Sequence, residues 1–189
     1  VLLNVQTDQA ILADHKNAKD TYTWKNSIAE HHPLFEEVTD SVGIRYQHTQ
    51  TDFIDFNIQR LLPHKLSEYD PALAIGDVNG DGLEDIIVGG SHSNRAASLL
   101  QQKNGVFIQK NILPEKKAKG WDDIGLALFD VDNDGDLDIY TASGGNVSKP
   151  NTSAYQDKLY INDGKGNFRT DTKALPENFI SKSCVRATD

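Results

Sequence analysis

A nine-residue acidic pattern, D-x-[DN]-x-D-G-x-x-D, occurs twice, and each time it runs straight into a β-branched segment. DVNGDGLED fills 77–85 and DVDNDGDLD fills 130–138, so the first positions are 53 residues apart. A curled loop that packs this many carboxylates needs a cation. Ca²⁺ takes about six to eight oxygens at about 2.3–2.6 Å. Alternate positions of such a loop point inward. Positions one, three and five then supply side-chain oxygens from Asp77, Asn79 and Asp81, and from Asp130, Asp132 and Asp134. Gly82 and Gly135 permit the sharp turn. Position seven, Leu83 or Asp136, is expected to give its backbone carbonyl with the side chain facing out. Position nine, Asp85 or Asp138, closes the shell. Two Ca²⁺ sites are expected. Mg²⁺ suits the pattern less, because it takes fewer protein ligands and keeps its waters.

The segment after each loop decides between calcium folds. An EF-hand needs a Glu at its twelfth position and a helix after it. Val88 and Thr141 stand there instead, inside DIIVGG and DIYTASGG. Both segments read as strands, which removes the EF-hand and dockerin-type readings.

The flanks repeat as well. PALAIGDVNGDGLEDIIVGG (71–90) and IGLALFDVDNDGDLDIYTASGG (124–145) share one layout, with apolar runs over 73–78 and 124–131 as inner strands. After each Gly-Gly comes a strand, a Gly-containing turn and a strand, over 96–113 and 157–175. NDGKGN supplies the positive-φ positions of a tight hairpin. Four short strands in roughly 50–60 residues make a propeller blade. The fold class is therefore all-β, with four-stranded antiparallel β-propeller blades in an incomplete propeller. The expected division is a linker over 1–33, a lead-in over 34–70, and blades over 71–120 and 121–182. The start of a third blade is expected over 183–189, with Asp189 as its first loop position. LFEEVTD (34–40) is similar to NFRTDTK (167–173) and is expected to be an outer strand that closes the ring. Two blades cannot close a propeller, so the remaining ones are expected beyond the C-terminus.

Composition narrows the function. The two loops hold nine acids, the size of the formal net charge of −9. A chain acidic in this way lacks the basic footprint of a nucleic-acid binder. No apolar run approaches the roughly 18–20 residues of a membrane span. The chain has no Met and no signal-peptide pattern at its start, which reads as a piece of a longer, processed protein. Cys184 is the one cysteine, in the strand-like run SCVRATD, where a buried small hydrophobe is expected. Weak calcium sites of roughly 10⁻⁴–10⁻³ M make sense outside the cytosol, so an extracellular, periplasmic or cell-surface location is expected.

The loops and LYINDGKGNF together resemble FG-GAP/VCBS-type calcium propeller repeats over about 71–189. More narrowly, the chain is similar to bacterial ASPIC/UnbV-associated propeller proteins related to cartilage acidic protein. LLNVQTDQAILAD (2–14) resembles the closing strands of an ASPIC/UnbV domain. Neither repeat carries a literal Phe-Gly or Gly-Ala-Pro; Phe129-Asp130 and Gly89-Gly90 stand there instead.

No catalytic constellation is visible. His31 and His32 sit in a polar linker, as does His15. His48, His64 and His92 have no metal-ligand spacing, and GxSxG and HExxH are absent. Trp121 either packs between blades or stacks on a sugar or peptide. The expected function is a calcium-dependent module that binds a protein or glycan and is not itself an enzyme. The alternatives are the propeller scaffold of a carbohydrate-active enzyme, with its site on other blades, and an adhesin spacer.

Overall fold

The computed structural model describes residues 34–113 and 120–188, together with Asp8, Ala10, residues 14–18 and Thr21. The chain divides into two units, Val1–Glu37 and Val38–Asp189. Within the first, His15–Asn17 forms one turn of 3-10 helix, capped by the Asp14 carboxylate, which accepts the Lys16 N–H. The segment resembling an ASPIC/UnbV domain, 2–14, lies almost wholly outside the described residues, as do His31 and His32.

The second unit contains two four-stranded antiparallel sheets, each in sequence order. The first holds β1 (Leu73–Gly76), β2 (Asp85–Val88), β3 (Ala97–Gln101) and β4 (Phe107–Asn111). The second holds β5 (Asp122–Phe129), β6 (Asp138–Gly144), β7 (Lys158–Ile161) and β8 (Arg169–Asp171). This is the strand count and order of propeller blades. Each acidic loop joins the first strand of its sheet to the second, and Asp85 and Asp138 are themselves the first residues of strands β2 and β6 rather than of a helix. Gly76 pairs with Asp85 and Phe129 with Asp138, so the strand ladder closes at the base of each loop. The NDGKGN hairpin forms as expected, with Gly164 and Gly166 at positive φ.

The sheets pack face to face through Val78, Ile87, Ala96, Ile112, Ile139, Tyr160 and Phe168. Period-two alternation sends Ala74 and Gly76 toward the second sheet. A Cβ on Gly76 would lie 2.7 Å from Leu137 Cδ1 and 3.1 Å from Leu128 Cδ1, so glycine there lets both leucines close the gap. Leu73 and Ile75 point the other way and are 57% and 60% exposed. The residues 53 positions later, Leu126 and Leu128, pack against the core. The same pattern is thus covered in one sheet and bare in the other. Ile75→Lys should therefore change stability by less than about 0.5 kcal/mol, whereas Leu128→Lys should cost about 2–4 kcal/mol. Urea melts of the two variants check this, and equal costs would contradict the difference in cover.

Three expectations are corrected. Residues 34–40 form no strand; they bend, and a turn occupies 39–43. The Val38 and Thr39 carbonyls accept from Val42 N (3.0 Å) and Ile44 N (3.0 Å), which consumes the groups an outer strand would use. Cys184 is exposed, not buried. Residues 183–188 join no named strand; an isolated bridge between Lys182 and Gly144 lies just before them. The inner strands also differ from the expected spans: β1 covers Leu73–Gly76 rather than 73–78, and β5 covers Asp122–Phe129 rather than 124–131. Residues 182–188 nonetheless run beside the second sheet much as β5 runs beside the first. Lys182 N donates to Ser143 O (3.1 Å), just as Asp123 N donates to Gly90 O (2.9 Å).

Residues 44–70 cross from β4 to the start of β1. A hydrogen-bonded chain pins this stretch. Tyr46 Oη and His48 Nδ1 are 3.1 Å apart, and His48 Nε2 is 3.2 Å from Asp70 Oδ2. Asp55 is fully buried and accepts Ser67 Oγ (2.6 Å) and Asn146 Nδ2 (2.8 Å). Burial alone would raise its pKa, but these donors outweigh burial and lower it. No helix among the described residues is long and apolar enough to cross a membrane.

Candidate metal centre

The two loops curl in the same way, and the ninth position explains why. Asp85 is fully buried; its two oxygens accept Val78 N (3.1 Å) and Gln101 N (2.8 Å). Asp138 is equally buried and accepts Val131 N (2.9 Å) and Asn162 N (2.8 Å). Each carboxylate therefore ties the second residue of its loop to the far end of the third strand. The first position closes the turn from the other side. Asp77 accepts Gly80 N (2.8 Å) and Gly82 N (2.7 Å), and Asp130 accepts Asp134 N (3.2 Å) and Gly135 N (3.0 Å). Gly82 and Gly135 both have positive φ, as the turn requires.

The second loop brings ligand oxygens of Asp130, Asp132 and Asp138 within 4.8 Å of one another. Oxygens that share one Ca²⁺ at about 2.4 Å lie at most about 5 Å apart, so the triad fits that ion. Among the described residues this is the one group of acids, histidines or cysteines with such geometry. The first loop does not gather its acids in this way. Asp77 spends its oxygens on four loop N–H groups, with Asn79 N (3.2 Å) and Asp81 N (3.2 Å) completing the set. Asp81 and Asp134 turn one oxygen onto the N–H of position seven, Leu83 (2.9 Å) and Asp136 (3.2 Å).

Electrostatics separate the loops. Burial pushes Asp77 upward, yet its four N–H donors win and lower its pKa. In the second loop burial and repulsion act in the same direction. Burial and then the Asp134 charge raise Asp132, and the same two causes push Asp136 up to about 6. Asp136 also corrects the expectation for position seven. Its side chain does not simply face out: one oxygen is buried, and the other would lie 3.0 Å from a Cβ on Gly164. The NDGKGN hairpin holds that carboxylate beside the cluster, which a local reading of the loop cannot show.

Stability without calcium should therefore depend on pH. The folded state holds the Asp136 proton more tightly than the unfolded chain, whose carboxyl titrates near 3.8. The corresponding stability is fully present below about pH 3.8 and is lost as pH rises through about 6. In calcium-free buffer the parent should gain stability over Asp136→Asn as pH falls from 7 to 4. Melts of both proteins across that range test the sign, and a gap that widens in the opposite direction contradicts it.

One contact unreadable from the sequence joins the loops. Asn162 is buried; its Nδ2 donates to Val78 O (2.8 Å) in the first loop and to Leu137 O (3.0 Å) in the second. Among the described residues no histidine joins the carboxylates of the two loops. His48 belongs to the relay with Tyr46 and Asp70, His64 bonds the Tyr69 hydroxyl, and His15 is exposed. The His92 backbone N–H donates to Asp122 (2.5 Å). Trp121 lies half-buried, with the Lys158 ammonium 4.1 Å from its ring centroid.

Residues 77–141 match the family described as FG-GAP-like repeat. The match runs from the first position of the first loop to just past the second. None of the curated proteins matches the chain.

Proposed function

We propose that residues 71–182 are two blades of a calcium-binding propeller module that works outside the cytoplasm by binding a protein or glycan, without catalysing a reaction. The single observation that carries this reading is the carboxylate triad Asp130, Asp132 and Asp138, set in a loop pattern that recurs 53 residues earlier. In the proposal the second ion takes Asp130, Asp132, Asp134, the Asp136 carbonyl and Asp138. The first takes Asp77, Asn79, Asp81, the Leu83 carbonyl and Asp85. Residues 183–189 would open a third blade; the matched Lys182 and Asp123 hydrogen bonds support this. The bare face of β1 is where another blade would pack.

Calcium would act as a clamp. The ninth-position carboxylate already bonds two segments, so an ion on it fixes the loop against both. At 1 mM Ca²⁺ and a Kd of roughly 10⁻⁴ M, each site adds about 1.4 kcal/mol. Two sites add about 3 kcal/mol, or roughly 6–12 °C in a chain of this size. The second site should contribute more, because its ion relieves the repulsion at Asp132 and Asp136. Asp134→Ala should therefore remove more of the calcium-dependent rise in melting temperature than Asp81→Ala does. Melting curves of both variants in calcium and in chelator decide it. A parent protein that melts at the same temperature in both would sink the reading.

A further inference from the structure

The Trp121 side chain forms part of a cavity of about 440 Å³ on the second sheet, away from both acidic loops. That volume lies within the range of small-ligand sites. Its apolar lining includes Trp121, Leu175 and Phe179, and its polar lining includes Gln156 and the carboxylates Asp171 and Glu177. Lys158 also lines it and sits over the indole ring.

The unused bonding capacity of this lining selects the ligand. Lys158 Nζ already donates to Ser143 Oγ (3.0 Å) and to the Gln156 carbonyl while resting on the ring. It has little left for an anion, and the two carboxylates repel one. Asp157 is also consumed, by Lys182 Nζ (3.2 Å), Tyr140 Oη (2.7 Å) and Ser143 N (3.0 Å). Asp171 uses one oxygen on Lys173 N (2.8 Å) and Ala174 N (3.0 Å). Its other oxygen and the whole Glu177 carboxylate remain as acceptors among the described residues. The site therefore asks for hydrogen-bond donors on an apolar frame. A cationic donor stacked on Trp121 would meet the Lys158 charge beside the ring. Hydroxyl groups meet no such penalty, and the C–H face of a pyranose suits an aromatic and aliphatic wall.

We propose that this cavity binds a neutral sugar unit, with Trp121 and Phe179 against the ring and Asp171 and Glu177 accepting from its hydroxyls. Calorimetry and ligand-observed NMR on the full chain test it. The probes are the methyl glycosides of glucose, galactose and N-acetylglucosamine and their β-linked dimers, with lysine methylamide as the cationic control. At least one sugar should saturate with a Kd of about 0.1–10 mM. The double variant Asp171→Asn, Glu177→Gln keeps an acceptor for the Lys173 and Ala174 N–H groups. It should weaken binding about tenfold or more while its melting temperature stays near the parent's. Trp121→Phe keeps an apolar wall but shrinks the contact, and should weaken binding by several-fold. The proposal is overturned if no sugar saturates by about 50 mM, well above the expected range. It is equally overturned if only the lysine probe binds, or if binding survives unchanged in both variants.

Discussion

Asp138→Ala should destabilise the calcium-free protein by about 2–4 kcal/mol and leave the second loop unable to hold an ion. The carboxylate is fully buried and accepts two backbone N–H groups, from Val131 and Asn162. Each buried donor stranded by its loss costs about 1–3 kcal/mol. Part of this is returned, because Asp138 contributes to the repulsion that raises Asp132 and Asp136. Pairing outweighs repulsion, since two lost bonds to a charged acceptor exceed one relieved contact in a partly solvated loop. Ala at Asp132, an exposed position whose carboxylate bonds only locally, to Asp134 within the loop, provides the contrast. It should cost little in calcium-free buffer and show its effect only when calcium is added. Denaturant melts of Asp138→Ala and Asp132→Ala, with and without calcium, separate the two roles. Similar losses without calcium would show that the ninth position is not the structural anchor.

Asn162→Ala should cost about 2–4 kcal/mol and loosen both loops together. The side chain is buried and donates to one carbonyl in each loop, those of Val78 and Leu137, which lie 59 residues apart. Its oxygen also accepts Asp163 N (2.9 Å), which shapes the start of the glycine hairpin. Alanine strands two buried carbonyls and removes the link between the sheets. Amide exchange at Gly80 and Gly135 should quicken in this variant. If it quickens at Gly135 alone, the bond to Val78 carries no coupling between the loops.

The positions of these residues show what a sequence can reveal. The loops are legible because alternating acids and one glycine satisfy a local rule, and the strands after them because β-branched residues alternate. The hairpin at 163–167 is legible from its two glycines for the same reason. Asn162 is not, because its partners lie 84 and 25 residues away: pairing of β6 with β7 brings Leu137 near, and Val78 comes near only when the sheets stack. Nor is the Tyr46, His48 and Asp70 relay, since 44–70 carries no repeat from which to infer register. Loop geometry alone permits an outward Asp136 side chain; the contact with Gly164 of the distant hairpin is not part of the local pattern. The neighbours of Cys184 suggest an interior position, yet a strand-like run buries nothing until another surface covers it.

Calcium titration of the full chain by calorimetry, after removal of divalent ions, tests the central claim most directly. Two ions per chain are expected, with the second loop tighter. Asp132→Ala, with Asp130 and Asp138 left in place, should abolish or greatly weaken the tighter site alone. A flat titration at millimolar calcium, matched by identical melting in calcium and in chelator, would contradict this and leave both loops as acidic turns without a metal.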